Sequence, residues 1–171
     1  MKKGVLTGLL AAAIMLGGAL TLAGLGLADH WEREGWEGRP RGLRPVEDPR
    51  VLKECGACHM AYQPGFLPAR SWEKIMSNLK DHFGDNAALD EAAAKSITAY
   101  LVANASDARG GAPAKDGAEP VIRISELPWF KAEHGRRGRV SPESLKRHKA
   151  KSASDCKACH PGAEQGYFDD D

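Results

Sequence analysis

The chain has no cysteine to spare. All four cysteines fall in two short runs, Cys55-Gly56-Ala57-Cys58-His59 and Cys156-Lys157-Ala158-Cys159-His160. None is left for a structural disulfide, the usual use of four cysteines in an exported chain. Net charge is also lacking. Lys and Arg number 24 against 23 Asp and Glu, a formal charge of +1, so the balance gives no argument for a nucleic-acid partner. Beyond Leu27 no apolar stretch approaches the roughly 20 residues that a membrane-spanning helix needs. Nothing repeats along the chain except the five-residue run itself.

The start of the chain reads as a targeting segment. Lys2 and Lys3 precede an uncharged stretch from Gly4 to Leu27, and Gly26-Leu27-Ala28 supplies the small residues that a signal peptidase cuts behind. Residues 1–28 are therefore expected to be a cleaved secretory signal, with an uncleaved membrane anchor as the alternative. Cleavage would remove two lysines and take the formal charge from +1 to −1. Residues 29–47, rich in Gly and Arg, show no periodicity and read as a flexible arm, in which His30 is a solvated side chain.

A helical unit over 48–106 follows. Asp48 and Pro49 suit the start of a helix running into the first cysteine run. Pro64, Gly65 and Pro68 make a loop whose Tyr62, Phe66 and Leu67 are placed to cover one edge of a cofactor. Ser71 reads as the N-cap of a helix with Trp72, Ile75, Met76, Leu79 and Phe83 on one stripe, stopped by Gly84. Asp90 opens another helix with Ala93, Ala94, Ile97, Tyr100 and Leu101 inward. Residues 107–120, with three glycines and two prolines, read as a linker. Residues 121–171 are few for an independent core and are expected to be organised by a bound group. The fold class expected is mainly α: a helical N-terminal domain plus a small C-terminal segment with little regular structure.

The two cysteine runs carry the chemistry. Cysteines at i and i+3 share a helix face, so both sulfurs can reach the two vinyl groups along one haem edge. The histidine that follows then meets the iron. Cys55, Cys58, Cys156 and Cys159 are thus the expected covalent attachment points of two haem c groups, with His59 and His160 as proximal iron ligands. A single zinc held by four thiolates would join pairs about 100 residues apart and leave both histidines unexplained. A thiol–disulfide redox pair is a further alternative.

The sixth iron ligands decide between carrying electrons and binding substrate. For the first haem the candidates are His82, Met60 and Met76. His82 lies beside the apolar stripe, Met60 is too close to His59 to reach the opposite face, and Met76 also suits the core. For the second haem they are His134 and His148. His134 follows Phe130 at i+4 on a short helix, whereas His148 sits in the basic run Lys146-Arg147-His148-Lys149. Arg136, Arg137, Arg139, Lys146, Arg147, Lys149 and Lys151 form a basic cluster. It reads either as ordinary solvated surface or as a docking patch for an acidic redox partner.

The run from Cys55 to Trp72, Cys-Gly-Ala-Cys-His-Met-Ala-Tyr-Gln-Pro-Gly-Phe-Leu-Pro-Ala-Arg-Ser-Trp, resembles the small bacterial dihaem cytochrome c family of the DHC type. Asp81-His82-Phe83-Gly84-Asp85-Asn86-Ala87 and the ending from Cys156 to Phe168 continue the likeness. The resemblance implies a periplasmic electron carrier with a cytochrome c-like N-terminal domain and a small C-terminal haem segment. It implies bis-histidine ligation of both haems, with His82 and His134 as the distal ligands. It further implies redox-protein partners, among them a membrane b-type cytochrome and a small monohaem cytochrome c. No small-molecule substrate and no enzymatic turnover are expected. The alternatives are an electron-transfer subunit of a periplasmic reductase and a dihaem peroxidase.

Overall fold

A computed structural model of the chain describes residues 43–108, 119–135 and 139–168. The expected signal segment, His30, most of the arm and of the linker, Arg136 and Arg137 lie outside the described residues.

The Asp48 carboxylate accepts from the Arg50 backbone N–H at 2.9 Å and Pro49 takes the first helical position, which starts α1 (Pro49–Cys55). This helix delivers the first cysteine run and buries Val51. After a tight 3₁₀ turn at Pro64–Phe66 comes α2 (Ala69–Met76). Its boundaries differ from those expected at both ends. Ser71 is not the cap but lies wholly buried inside the helix. The N–H of Ala69 is met instead by the Asp107 carboxylate at 2.9 Å, from 38 residues along the chain. At the other end Asn78 and Asp81 turn to local partners. The Asn78 side-chain amide donates to the Asp81 carbonyl at 3.4 Å, and Asp81 Oδ1 accepts from Gly84 N at 3.1 Å. Such short polar side chains compete with helix continuation. A 3₁₀ turn over Leu79–Asp81 replaces the last expected turns, and Phe83 is left exposed with φ +59°.

The α3 helix (Glu91–Ala103) starts as expected at Asp90, whose carboxylate accepts from Ala93 N at 2.9 Å. It packs on α2 and buries Ile97 and Leu101. The C-terminal part holds two short helices, α4 (Pro128–Gly135) and α5 (Pro142–Arg147), and 3₁₀ turns at Cys156–Ala158 and Ala163–Gln165. The described residues contain no β-strand, only an isolated bridge between His82 and Asp85. The architecture of the described residues is mainly α. Among the described residues no helix is long and apolar enough to cross a membrane.

One apolar core runs through both parts. Val51, Phe66, Trp72, Ile97 and Leu101 share it with Trp129 and Phe130 from α4. The Phe66 and Trp129 rings lie nearly parallel with centres 5.9 Å apart, and Phe168 meets Phe66 edge-on at 5.3 Å. Each such large side chain contributes about 1.5–3 kcal/mol on burial. The segment before α1 joins in: Val46 is buried and Leu43 packs on the core. Leu43 lies against Gly166, where φ is +83° and a Cβ would collide with the Leu43 carbonyl oxygen. Only glycine suits that point.

Candidate functional site

The first site forms where the end of α1 faces the turn after α2. His59 follows Cys58 in the turn just after α1, and its Nδ1 lies 2.7 Å from the Met60 carbonyl oxygen. A carbonyl can only accept, so Nδ1 carries the proton and Nε2 keeps a free lone pair for a metal. Tyr62 lies against the His59 ring, with centres 4.8 Å apart and planes 23° apart. Opposite stands His82, held on a tight turn by backbone bonds to Asp85, with Gly84 at φ +104° completing the turn. Phe83 meets the His82 ring at 4.8 Å, and the Arg123 guanidinium lies 4.3 Å over Phe83. Burial, with smaller effects from His59 and Arg123, lowers the His82 pKa. The ring is thereby favoured in the neutral form that can bind a metal. A cavity of about 340 Å³, lined by Met76, Leu79, Ala88, Leu89 and Ala94 among others, opens beside the same turn.

The second site joins α4 to the C-terminal cysteine run. His134 is clamped by Phe130 one helical turn earlier. The rings stack at 3.9 Å and 14°, and His134 Nδ1 lies 3.1 Å from the Phe130 carbonyl oxygen. The Phe130 carbonyl can only accept, so Nδ1 carries the proton here too. His134 faces His160, which Phe168 contacts at 5.6 Å. His148 is elsewhere: it caps the end of α5 and is exposed. The structure therefore brings His134, and not His148, to His160. Met60 is buried beside His59 in sequence, and Met76 packs partly against the core and lines the cavity.

The two histidine pairs have the same separation. Ring centres are 6.2 Å apart for His59 and His82, and 6.2 Å for His134 and His160. An imidazole nitrogen sits about 2.0–2.1 Å from a bound metal and the ring centre roughly 1.1 Å further back, so two rings on opposite sides of one metal have centres about 6.3 Å apart. Both pairs fit an iron between them. The cysteines fit a thioether role better than the alternatives. Among the described residues no three His, Cys, Asp or Glu side chains converge on a metal position. A redox dithiol needs a depressed pKa, and Cys55, Cys156 and Cys159 are shifted the other way. Burial pushes the Cys55 thiol up and Cys156 up to about 11, and Cys159 is raised as well.

Residues 51–168 match the family model described as dihaem cytochrome c. The chain belongs to the dihaem cytochrome c family. Solved structures of this family are similar to it. The crystal structure of DHC purified from Rhodobacter sphaeroides is 51% identical, with TM-score 0.62, and covers 72% of this chain and 99% of its own. A diheme cytochrome c from the same organism is 49% identical, with TM-score 0.64 and coverage of 73% and 99%. The diheme cytochrome of Shewanella baltica OS155 is 35% identical, with TM-score 0.57 and coverage of 72% and 89%. A comparison with curated proteins finds no significant match. As a dihaem cytochrome c, the chain carries two haem c groups with iron and is a haem-based electron-transfer protein.

Three contacts around the dihaem sites were not legible in the spacing. The stretch of Tyr62, Phe66 and Leu67 was expected to cover a haem edge. Phe66 and Leu67 are core residues, while Tyr62 lies on His59 and its hydroxyl donates to the Ser154 carbonyl at 2.7 Å. Burial chiefly holds the Tyr62 phenol protonated, with its pKa pushed up to about 12. Gln63, wholly buried, donates to the carbonyls of Ala163 and Glu164. Arg123 backs the first site from beyond the linker. No pattern local to residues 59–67 points to partners so far along the chain.

Proposed function

We propose that this protein is a periplasmic electron carrier whose irons are both held by two histidines, His59 with His82 and His160 with His134. One observation carries the reading: each pair stands 6.2 Å apart between ring centres, the spacing that one iron between two imidazoles requires. Haem iron supplies one-electron chemistry, cycling between Fe(III) and Fe(II). The chain's own residues do the rest. The carbonyls of Met60 and Phe130 fix the tautomers that present Nε2, Phe130 and Tyr62 fix ring planes, and burial favours neutral His82. Held by two histidines each, the irons would offer no open position to a small-molecule substrate, which fits a carrier and not an enzyme. Two imidazoles set a lower potential than histidine with methionine.

Haem 1 is assigned to residues 48–106 and haem 2 to residues 121–171. Export rests on the signal pattern of residues 1–28. The partners are redox proteins, a membrane b-type cytochrome and a small monohaem cytochrome c among them. Lys146, Arg147, Lys149 and Lys151, all exposed, lead into the second cysteine run and offer a basic face for an acidic partner.

Alanine variants of the purified holoprotein test the ligation. His82→Ala and His134→Ala are each expected to turn one haem high-spin while the other stays low-spin, and His148→Ala to change neither. An unchanged spectrum in His82→Ala or His134→Ala contradicts the assignment of that ligand.

A further inference from the structure

Tyr62 touches both haem sites at once. Its ring lies 4.8 Å from that of His59, with planes 23° apart. Its hydroxyl donates to the Ser154 carbonyl oxygen at 2.7 Å, across 92 residues of sequence. The same carbonyl oxygen lies 3.4 Å from Cys156 Sγ. In the holoprotein this sulfur would be a thioether of the second haem, with no proton to donate, and Ser154 would remain joined to Cys156 through the backbone. The phenol therefore sits between a ligand of one iron and an attachment point of the other.

We propose that Tyr62 is the positioning residue that joins the two haems, its ring setting the plane of His59 and its hydroxyl carrying electronic coupling to the Cys156 segment. The proposal rests on the reading above that His59 and Cys156 hold the two haems. Covalent bonds and hydrogen bonds couple electron donors and acceptors better than gaps do. The link runs from the His59 imidazole across the ring contact to the phenol, then through O–H···O=C to Ser154, and on to Cys156. The step it serves moves one electron: one iron goes from Fe(II) to Fe(III) as the other goes from Fe(III) to Fe(II). No bond is made or broken, no proton leaves, and Tyr62 is neither oxidised nor deprotonated.

Two variants of the full-length holoprotein separate the ring from the hydroxyl. Tyr62→Phe keeps the ring, and Tyr62→Leu removes both. Each is flash-photoreduced from the ferric state by less than one electron per molecule, and redistribution of that electron between the haems is followed by absorbance. Paramagnetic resonance of the ferric protein reports each ligand pair. Tyr62→Phe is expected to leave both low-spin signals in place and slow the redistribution several-fold. Tyr62→Leu is expected to slow it as well and to shift the signal of haem 1 alone. Redistribution at the native rate in Tyr62→Phe overturns the bridge, and an unshifted haem 1 signal in Tyr62→Leu overturns the plane-setting role. Failure of the bis-histidine reading is distinct, because it shows as a high-spin haem in the native protein before any variant is made.

Discussion

Gln63 offers the sharpest test of how the two haem-bearing parts are held together. It is wholly buried, and its Nε2 donates to the carbonyls of Ala163 at 2.6 Å and Glu164 at 3.2 Å. Gln63→Leu keeps the volume and removes both bonds. Each contributes about 0.5–1.5 kcal/mol net. The Ala163 carbonyl keeps a bond from Gly166 N at 3.0 Å, while Glu164 loses the one from Gln63. The Gln63 Oε1, buried with no hydrogen-bond partner, disappears as well and offsets part of the loss. The expected destabilisation is therefore about 1–2 kcal/mol. Gln63→Glu is worse, because a carboxylate has no proton to offer two carbonyls and stands buried and uncompensated, at a cost of about 3–5 kcal/mol. At roughly 4 °C per kcal/mol for a domain of this size, the leucine variant should melt about 6 °C lower and the glutamate variant more than about 12 °C lower. Thermal unfolding of the holoprotein by circular dichroism reads both. If the glutamate variant melts together with the native protein, the Gln63 link contributes nothing and the reasoning fails.

Two other predictions concern electronic structure and acid stability. The planes of His59 and His82 differ by 22° and those of His134 and His160 by 89°. Parallel imidazoles donate into the same iron d orbital and split the pair, whereas perpendicular ones leave it nearly degenerate. The ferric protein should therefore show one rhombic low-spin signal and one strongly anisotropic signal with a single large g value. Two identical rhombic signals would contradict these planes. The Asp48 carboxyl is held down to about 2, chiefly by its bond to the Arg50 side chain. A pKa lower in the folded state stabilises the fold above the ordinary carboxylate range, and that contribution is lost as pH falls towards about 2. Asp48→Asn should flatten the acid limb of a stability–pH curve, and an unchanged limb counts against the Arg50 contact.

Much of this molecule is legible along the chain because its signals are local. The pentapeptides, the cap at Asp90 and the pair Phe130 and His134 each act within a turn of helix. The α2 boundaries are not legible in that way. Ser71 has the right chemistry for a cap, but Asp107 supplies that bond from a distant loop. The stripe expected to run on to Phe83 breaks because Asn78 and Asp81 bond locally, and this places His82 on a turn and not on a helix. Tyr62 and Gln63 escape a linear reading for the same reason as Asp107. Their partners, Ser154, Ala163 and Glu164, are about 100 residues away, and nothing in the local spacing specifies such a contact.

The central claim is that histidines close both irons, and carbon monoxide tests it most directly. The dithionite-reduced holoprotein, exposed to the gas at neutral pH, is predicted to keep an unaltered low-spin spectrum at both haems. Rapid formation of a carbon monoxide adduct, or a high-spin band in the untreated protein, would show an open iron and contradict the account.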